Sequence, residues 1–317
     1  MQQGIRASVG ICAYNEGRNI GGLLETLLSQ KYGNHELAEI IIVASGCTDT
    51  TVSVVESFSL EHKGMVKLIV EPTRNGKAPA LNRILGTYRG DVLVHLDADH
   101  TPSGRAIRLL LDPLTERSVG AVSGCQIPYR GRFFMDKVCA VIWELHNETQ
   151  LHFSQLNAEQ HLGGVLFAIR KGICDQIPED IVNDDAFLGV QCRLKGYRVL
   201  FESRAHAFFQ GPRTITDYVA QRRRVVYGHL RVKKQTGVAP KVLEMSSWRD
   251  KAFIISGWVR KRWRLLPYFI AACFLELWVN SLARVDSLRK DNPHKIWKIA
   301  LSTKNHMNVK GIQEESR

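Results

Sequence analysis

The stretch GDVLVHLDADHTP, Gly90 to Pro102, sets Asp97 and Asp99 directly behind an apolar run broken only by His95. A short run of valine and leucine reads as a buried strand, and a buried strand has no need of two acids at its tip. Residues i and i+2 point the same way in an extended chain, so both carboxylates can converge on one cation while Ala98 turns away. Hard oxygen donors of this kind suit Mg2+ or Mn2+, which keep open positions for phosphates. The same acids can also cap a helix beginning near Ser103. Spacing alone does not choose between the two readings.

The chain upstream narrows the choice. Apolar, β-branched runs at 7–13 (ASVGICA), 39–44 (EIIIVA), 66–71 (VKLIVE) and 91–96 (DVLVHL) alternate with helical patterns at Arg18 to Gln30, Thr50 to His62 and Lys77 to Tyr88. Strand and helix in alternation predict an α/β fold, a mostly parallel sheet with helices on both faces. Such sheets bind ligands beyond the C-terminal ends of their strands, where loops and helix N-termini meet. The polar clusters fall at those ends: YNEGRN after the first strand, SGCTDT after the second, TRNGK after the third and DADH after the fourth. In TRNGKAPALN, Arg74 and Lys77 flank Gly76 at a helix start that already favours anions. The GxxxxGK[ST] spacing of a P-loop is absent. An acidic pair and a basic turn on one sheet edge imply a nucleotide diphosphate.

The 317 residues, 44% hydrophobic and 23% charged, have the composition of a folded protein. The formal charge of +12 is concentrated: residues 222 to 264 hold 13 Lys or Arg against Glu244 and Asp250, a net +11. Such a block suits phosphates of a nucleotide-linked substrate, an anionic lipid or nucleic acid, or it is a solvated face. The seven cysteines show no CxxC or Cys/His spacing, which predicts free thiols. The opening MQQGIRASVG has no apolar h-region, so no secretory signal is expected.

Downstream, the pattern predicts a long helix from Met135 to about Gln155, a turn or close approach at Gly163 and Gly164, and a helix at Asp185 to Lys195. Strands at 198–202 and 206–209 and a basic helix from Thr214 to about Lys234 follow. On a helix, Arg222, Arg223 and Arg224 cannot all face one way, so at least one should turn toward the body. His100, His161 and His229 have no ligand spacing and read as polar pocket or surface residues. From Leu265 to Ala283 the strongly polar residues are Glu276 and Asn280, and RKRWR stands just before. About 20 apolar residues span a bilayer, but an acid near the centre costs roughly 3 kcal/mol. A membrane-embedded or interfacial helix is therefore expected, with Trp248, Trp258, Trp263 and Trp278 as an interfacial belt and the basic flank on the cytoplasmic side. The division expected is a catalytic domain at 1–240 and a basic, apolar helical extension at 241–317.

Taken in order, these motifs resemble those of family 2 glycosyltransferases. AYNEGRNI is similar to their YNE stretch, SGCTDTT to the tail of their nucleotide loop, GKAPALN to their GKxxALN segment and LDADHTP to their DxD motif. VNDDAFLGVQCRLKGYRVLF resembles their ED-containing helix, and QRRRV resembles the QxxRW motif of the membrane-bound members, with Val225 where Trp is usual. The resemblance spans about residues 7 to 235 and implies a GT-A fold. It also implies that Asp97 and Asp99 bind Mg2+ or Mn2+ and through it the diphosphate of a nucleotide-sugar donor. Tyr14, Asn15 and Glu16 would border the nucleoside, with Asp49 remaining from the acidic loop that reads the base, and Lys77 would lie near base or phosphate. Asp185 would be the general base, with Asp184 beside it, and Gln221, Arg223 and Arg224 would sit against the diphosphate and the acceptor mouth.

The expected reaction is inverting, metal-dependent transfer from a UDP-sugar, or second a GDP-sugar, to a lipid-linked or membrane-proximal glycan acceptor at the cytoplasmic face of a membrane. No nucleic acid partner is expected, because that reading would leave the four strand-end motifs idle. A nucleotidyltransferase shares the sheet and metal, but normally opens on a Gly-rich loop where this chain has AYNEGRN. Ala44 and Ser45 replace the acids that commonly read the base, and Val225 removes the Trp that lines the acceptor end in polymer makers.

Overall fold

The computed structural model describes residues 4–156, 161–289, 291–296 and 301–303. The first half builds β1 (Arg6–Ala13), α1 (Ile20–Leu28), β2 (Glu36–Ser45), α2 (Thr51–Glu61), β3 (Val66–Glu71), α3 (Lys77–Leu85) and β4 (Val92–Leu96). The second adds β5 (His100–Pro102), α4 (Ala106–Leu111), β6 (Val119–Pro128), α5 (Phe134–Gln155), β7 (Leu166–Arg170), α6 (Asp184–Leu194), β8 (Arg198–Phe209), α7 (Ile215–Thr236), α8 (Trp248–Arg262) and α9 (Leu266–Ser287). Eight strands form one sheet in the order β3-β2-β1-β4-β7-β6-β8-β5. β1 pairs parallel with both β2 and β4, and β2 with β3.

Residues alternate between two cores across this sheet. Val9 and Ile11 pack with Leu23, Leu24 and Leu27 of α1 and Ile107 of α4 on one face, while Ile41 and Leu93 pack with Leu81 of α3 and Leu188 of α6 on the other. Strands covered on both faces read as continuous apolar runs, which is why β2 and β4 are so plain in the sequence. The chain builds outward from β1 to β3, then returns to place β4 on the other side of β1. That reversal opens a crevice at the C-terminal ends of β1 and β4, where Asp97 lies.

The second half departs from simple alternation. β7 runs antiparallel to β4 and β6, and β5 antiparallel to β8. The two strands expected at 198–202 and 206–209 are one strand, β8, parallel to β6 with a bulge between Glu202 and His206. Gly124 accommodates that bulge, since a Cβ there would lie 2.6 Å from the Ala205 carbonyl oxygen.

α5, α7, α8 and α9 form a third body around Met135, Val138, Tyr218, Ile254 and Ala272. Trp258, expected in an interfacial belt, is instead buried there, its indole N–H donating to Glu144 Oε2 at 2.9 Å. The acid expected to burden the apolar segment is also turned inward: Glu276 accepts from Arg222 at 2.8 and 2.9 Å and from Tyr218 at 2.6 Å. Arg223 makes a bidentate pair with Asp286 at 2.6 Å. So α9 is fastened along one side to α7, with Ala272, Val279 and Ala283 buried. Its other side presents Ile270, Phe274, Leu277 and Trp278, which are 48–70% exposed. Among the described residues, the run Trp248–Ser287 is the one long and apolar enough to cross a bilayer by length and composition.

α6 is tied to α7 through Asn183, whose Nδ2 donates to the Val225 carbonyl at 2.9 Å. Gly228 leaves room for it, because a Cβ there would fall 2.2 Å from Asn183 Oδ1. Gly228→Ala is expected to lower stability by about 1–3 kcal/mol in denaturant unfolding. Gly257→Ala, in α8 with nothing within 4 Å of the new Cβ, should be neutral or stabilising by up to about 1 kcal/mol.

Candidate active site

The strand ends border a cavity of about 1090 Å³, lined among others by Tyr14, Arg74, Lys77, Asp97, Asp185 and Arg224. Its wall beyond β1 is held by side chain to backbone bonds. Asn15 adopts φ 53°, an uncommon conformation that its short polar side chain tolerates, and its Oδ1 accepts from the Thr48 N–H at 2.8 Å. Asp49 Oδ2 accepts from the Gly17 N–H at 2.9 Å, and its Oδ1 accepts from the Thr51 N–H at 2.9 Å. Asn15 and Asp49 thus join the loops after β1 and β2 from behind, and neither lines the cavity. Tyr14 and Glu16 do, and the Arg74 guanidinium lies 4.0 Å over the Tyr14 ring.

Lys77, the first residue of α3, reaches the centre of the crevice. Its Nζ is 2.8 Å from Asp97 Oδ1 and 3.4 Å from Asp184 Oδ2. Burial favours neutral forms of both partners, but their attraction is stronger. Burial alone would raise the Asp97 carboxyl, yet Lys77 and His95 hold it well below the usual carboxylate range. Burial would lower the Lys77 ammonium, yet Asp184 and Asp97 raise it well above the usual lysine range. Beneath Asp97, His95 is fully buried between the Gly10 carbonyl oxygen at 3.1 Å and Asp97 Oδ1 at 3.3 Å.

Asp99 and His100 complete a donor cluster. His100 Nδ1 is 2.6 Å from Asp99 Oδ1, and one donor atom each of Asp97, Asp99 and His100 lies within 4.8 Å of the others. His100 Nε2 is buried with no hydrogen-bond partner among the described residues. Two carboxylates and an imidazole nitrogen fit Mn2+ or Mg2+ in a site that keeps positions open. His100 read from sequence only as a polar pocket or surface residue; its position directly after the acidic pair was the available signal.

The second acidic pair opens α6. Asp184 and Asp185 occupy the first turn, where the helix dipole favours anions. Gly164 lies against Asp185, since a Cβ there would be 2.4 Å from Asp185 Oδ2. Burial, and then the neighbouring Asp184 charge, push the Asp185 carboxyl up to about 7. Arg224 enters from α7; burial lowers its guanidinium to about 10 despite the attraction of Asp97, Asp184 and Asp185, so it remains charged at neutral pH. Gln221 and Arg223 also line the cavity, but Arg223 is paired to Asp286 as described. All three arginines of QRRRV face acids, more than the one the sequence required to turn inward. Trp143 and His146 of α5, not singled out from sequence as site residues, also line the cavity; their spacing on one helix face was the only trace.

The model of the family described as Glycosyl transferase family 2 matches residues 8–177, more than half of the chain. The chain belongs to this glycosyltransferase family. A probable glycosyltransferase, YdaM of Bacillus subtilis, is 27% identical over 236 residues, covering 71% of this chain and 55% of that one. The poly-beta-1,6-N-acetyl-D-glucosamine synthase of Staphylococcus aureus is 24% identical over 223 residues, 69% and 53% of the two chains. The family 2 chain therefore spans about half the length of these curated relatives. Among solved structures, the mannosyltransferase PcManGT of Pyrobaculum calidifontis, in complex with GDP-Man and Mn2+, superposes with a TM-score of 0.65 at 22% identity, covering 91% and 88%. The glucosyl-3-phosphoglycerate synthase of Mycobacterium tuberculosis, with Mn2+, UDP and phosphoglyceric acid, gives 0.52 at 21% identity, covering 72% and 78%. These likenesses establish the GT-A fold.

If the cluster at β4 and β5 holds a cation, Mn2+ titrated calorimetrically should bind the wild type. His100→Ala should weaken that binding by about 10-fold or more, and Asp99→Asn should weaken it further. Unchanged affinity in both variants would exclude the cluster as the site.

Proposed function

We propose that the chain is an inverting, metal-dependent glycosyltransferase that moves one sugar from a nucleotide-diphosphate sugar to a membrane-proximal acceptor. The observation that carries this reading is the contrast between two acidic pairs on one cavity. Asp97 beside Lys77 is held ionised, while buried Asp185 is raised to about 7, so one pair suits a cation and the other a proton. A divalent cation on Asp97, Asp99 and His100 would supply positive charge against the diphosphate as it leaves. The neighbours in complex with Mn2+ and GDP-Man or UDP support that donor class; the chain is assigned a UDP-sugar first and a GDP-sugar second.

The protein's own part follows from positions. Tyr14, Glu16 and Arg74 border the nucleoside end, and Lys77 and Arg224 face the diphosphate. Asp185 takes the proton of the acceptor hydroxyl. The oxygen lone pair then bonds to the anomeric carbon as the bond from that carbon to the diphosphate oxygen breaks, and attack opposite the leaving group inverts configuration. The domain boundary near residue 240 belongs to this proposal: residues 1–240 carry the chemistry, and 241–317 hold it at a cytoplasmic membrane face. The exposed Trp263, Ile270, Phe274 and Trp278 and the cations Arg260, Lys261, Arg262 and Arg264 support an interfacial placement of α8 and α9.

A screen of nucleotide-sugars should find one whose transfer or hydrolysis stops with EDTA, and Asp185→Asn should reduce transfer by about 10²–10⁴-fold with little change in donor affinity. Asp185 acts as the carboxylate, so its raised pKa means that activity is lost as pH falls through about 7 and is retained above it. Full transferase activity in Asp185→Asn would remove the base assignment. Flotation with anionic vesicles should retain the wild type and release Phe274→Glu/Trp278→Glu.

A further inference from the structure

On the side of Asp185 the cavity is walled by α5 and α7, which contribute Trp143, His146, Gln221 and His229. A file of rings runs along it. His100 stacks on Phe209 with centroids 4.8 Å apart, Phe209 meets Trp143 at 5.2 Å, Trp143 meets His146 at 5.4 Å, His146 meets His161 at 6.0 Å, and His161 meets His229 at 5.4 Å. His161 Nε2 is 4.0 Å from Asp185 Oδ2, so the file passes directly beside the proposed base.

Two features make this compartment a receptor for polar atoms. Gly163 keeps it open, because a Cβ there would stand 3.0 Å from Gln126 Nε2 and 3.8 Å from His146 Nε2. Gln126, 2% exposed, keeps its Oε1 without a hydrogen-bond partner among the described residues, and so does the Nδ1 of His229, 4% exposed; the nearest acid to the latter, Glu244, is at 3.9 Å. Both residues line the cavity. Buried polar atoms are ordinarily satisfied, and an unpartnered polar atom in the residues of a cavity wall leaves bonding capacity for a polar ligand.

We propose, resting on the transferase reading above, that Gln126, Trp143, His146, His161 and Gly163 form the acceptor subsite, and that it takes the terminal pyranose of a glycan, not a polyprenyl phosphate. A pyranose has an apolar C–H face for an aromatic ring and hydroxyls that both donate and accept. It would lie across Trp143, satisfy Gln126 and His229, and present one hydroxyl to Asp185.

Charge decides against a phosphate. The Arg222 guanidinium is engaged by Glu276 and Glu244, each at 2.8 Å, and Lys251 Nζ donates to the Glu244 carbonyl at 3.0 Å. Burial lowers the imidazoles of His146 and His229 to about 4 and that of His161 well below its ordinary value, so all three are neutral at pH 7. Lys77 is paired with Asp97 and Asp184, and Arg224 is held by the attraction of the same two acids and Asp185.

The test uses the full chain with the donor found in the nucleotide-sugar screen, offering oligosaccharides, a lipid-linked saccharide and a polyprenyl phosphate as acceptors. Wild type should glycosylate saccharide-terminated acceptors and leave the polyprenyl phosphate untouched. Trp143→Ala and Gly163→Val should raise the saccharide KM at least about tenfold, well beyond any change in donor KM, and Trp143→Phe should recover most of the loss. A merely structural role would raise the donor and saccharide KM values alike, with no rescue by Trp143→Phe. Transfer to the polyprenyl phosphate, or an unchanged saccharide KM in both variants, overturns the proposal. Absence of cation-dependent donor turnover in the wild type would instead overturn the transferase reading itself.

Discussion

Four carboxylates, Asp97, Asp99, Asp184 and Asp185, crowd one crevice, and their mutual repulsion is the constraint that the rest of the site answers. Two like charges 4 Å apart at a protein surface repel by about 4 kcal/mol, so the group persists only if cations or protons divide it. Lys77 stands between Asp97 and Asp184, and Arg224 approaches from α7. Asp185 is pushed up to about 7 by its burial and then by the neighbouring Asp184 charge. The proposed separation of a cation-binding pair from a proton-accepting one thus follows from the position of one buried ammonium together with the burial of Asp185.

That arrangement depends on elements far apart in the chain. α3 begins at Lys77 because Gly76, at φ 107°, turns the chain after β3, and a positive φ there suits glycine alone. α6 begins at Asp184 because Asn183 is anchored to the Val225 carbonyl and Gly228 leaves space for it. α7 is in turn held by α9 through the Arg222–Glu276 and Arg223–Asp286 pairs. Removing one partner of a buried pair leaves an uncompensated charge, which typically costs 3–5 kcal/mol or roughly that. The apolar helix is therefore also a wall of the cavity, to which it contributes Glu276, Leu277 and Asn280.

The parallel half of the fold was legible because its strands are buried on both faces and its polar clusters sit at their C-terminal ends, as in VLVHLDADH. β7 was not, because LFAIR lies behind a glycine pair and its pairing with β4 is set by residues about 70 positions away. The single strand β8 looked like two because the bulge at 203–205 interrupts its alternation. At the site, Asp97 and Lys77 were legible by residue type and strand-end position, and Asp185 only through the family resemblance. The pairing of Arg223 with Asp286 was not, since a basic run announces charge but not which acid it meets. Trp143 and His146 were hidden for the same reason: on a long amphipathic helix, a ring facing a cavity and a ring facing a core have the same spacing.

The account rests on Asp97 and Asp99 holding a diphosphate through a cation. Calorimetric binding of UDP and GDP, with Mn2+ and with EDTA, tests this most directly on the wild type and on Asp97→Asn/Asp99→Asn. The account predicts that one nucleotide binds the wild type at least about tenfold more tightly with Mn2+ than without, and that the double variant loses this dependence while remaining folded. Nucleotide affinity that is the same with and without the cation, or a cation dependence that survives in the double variant, would contradict it.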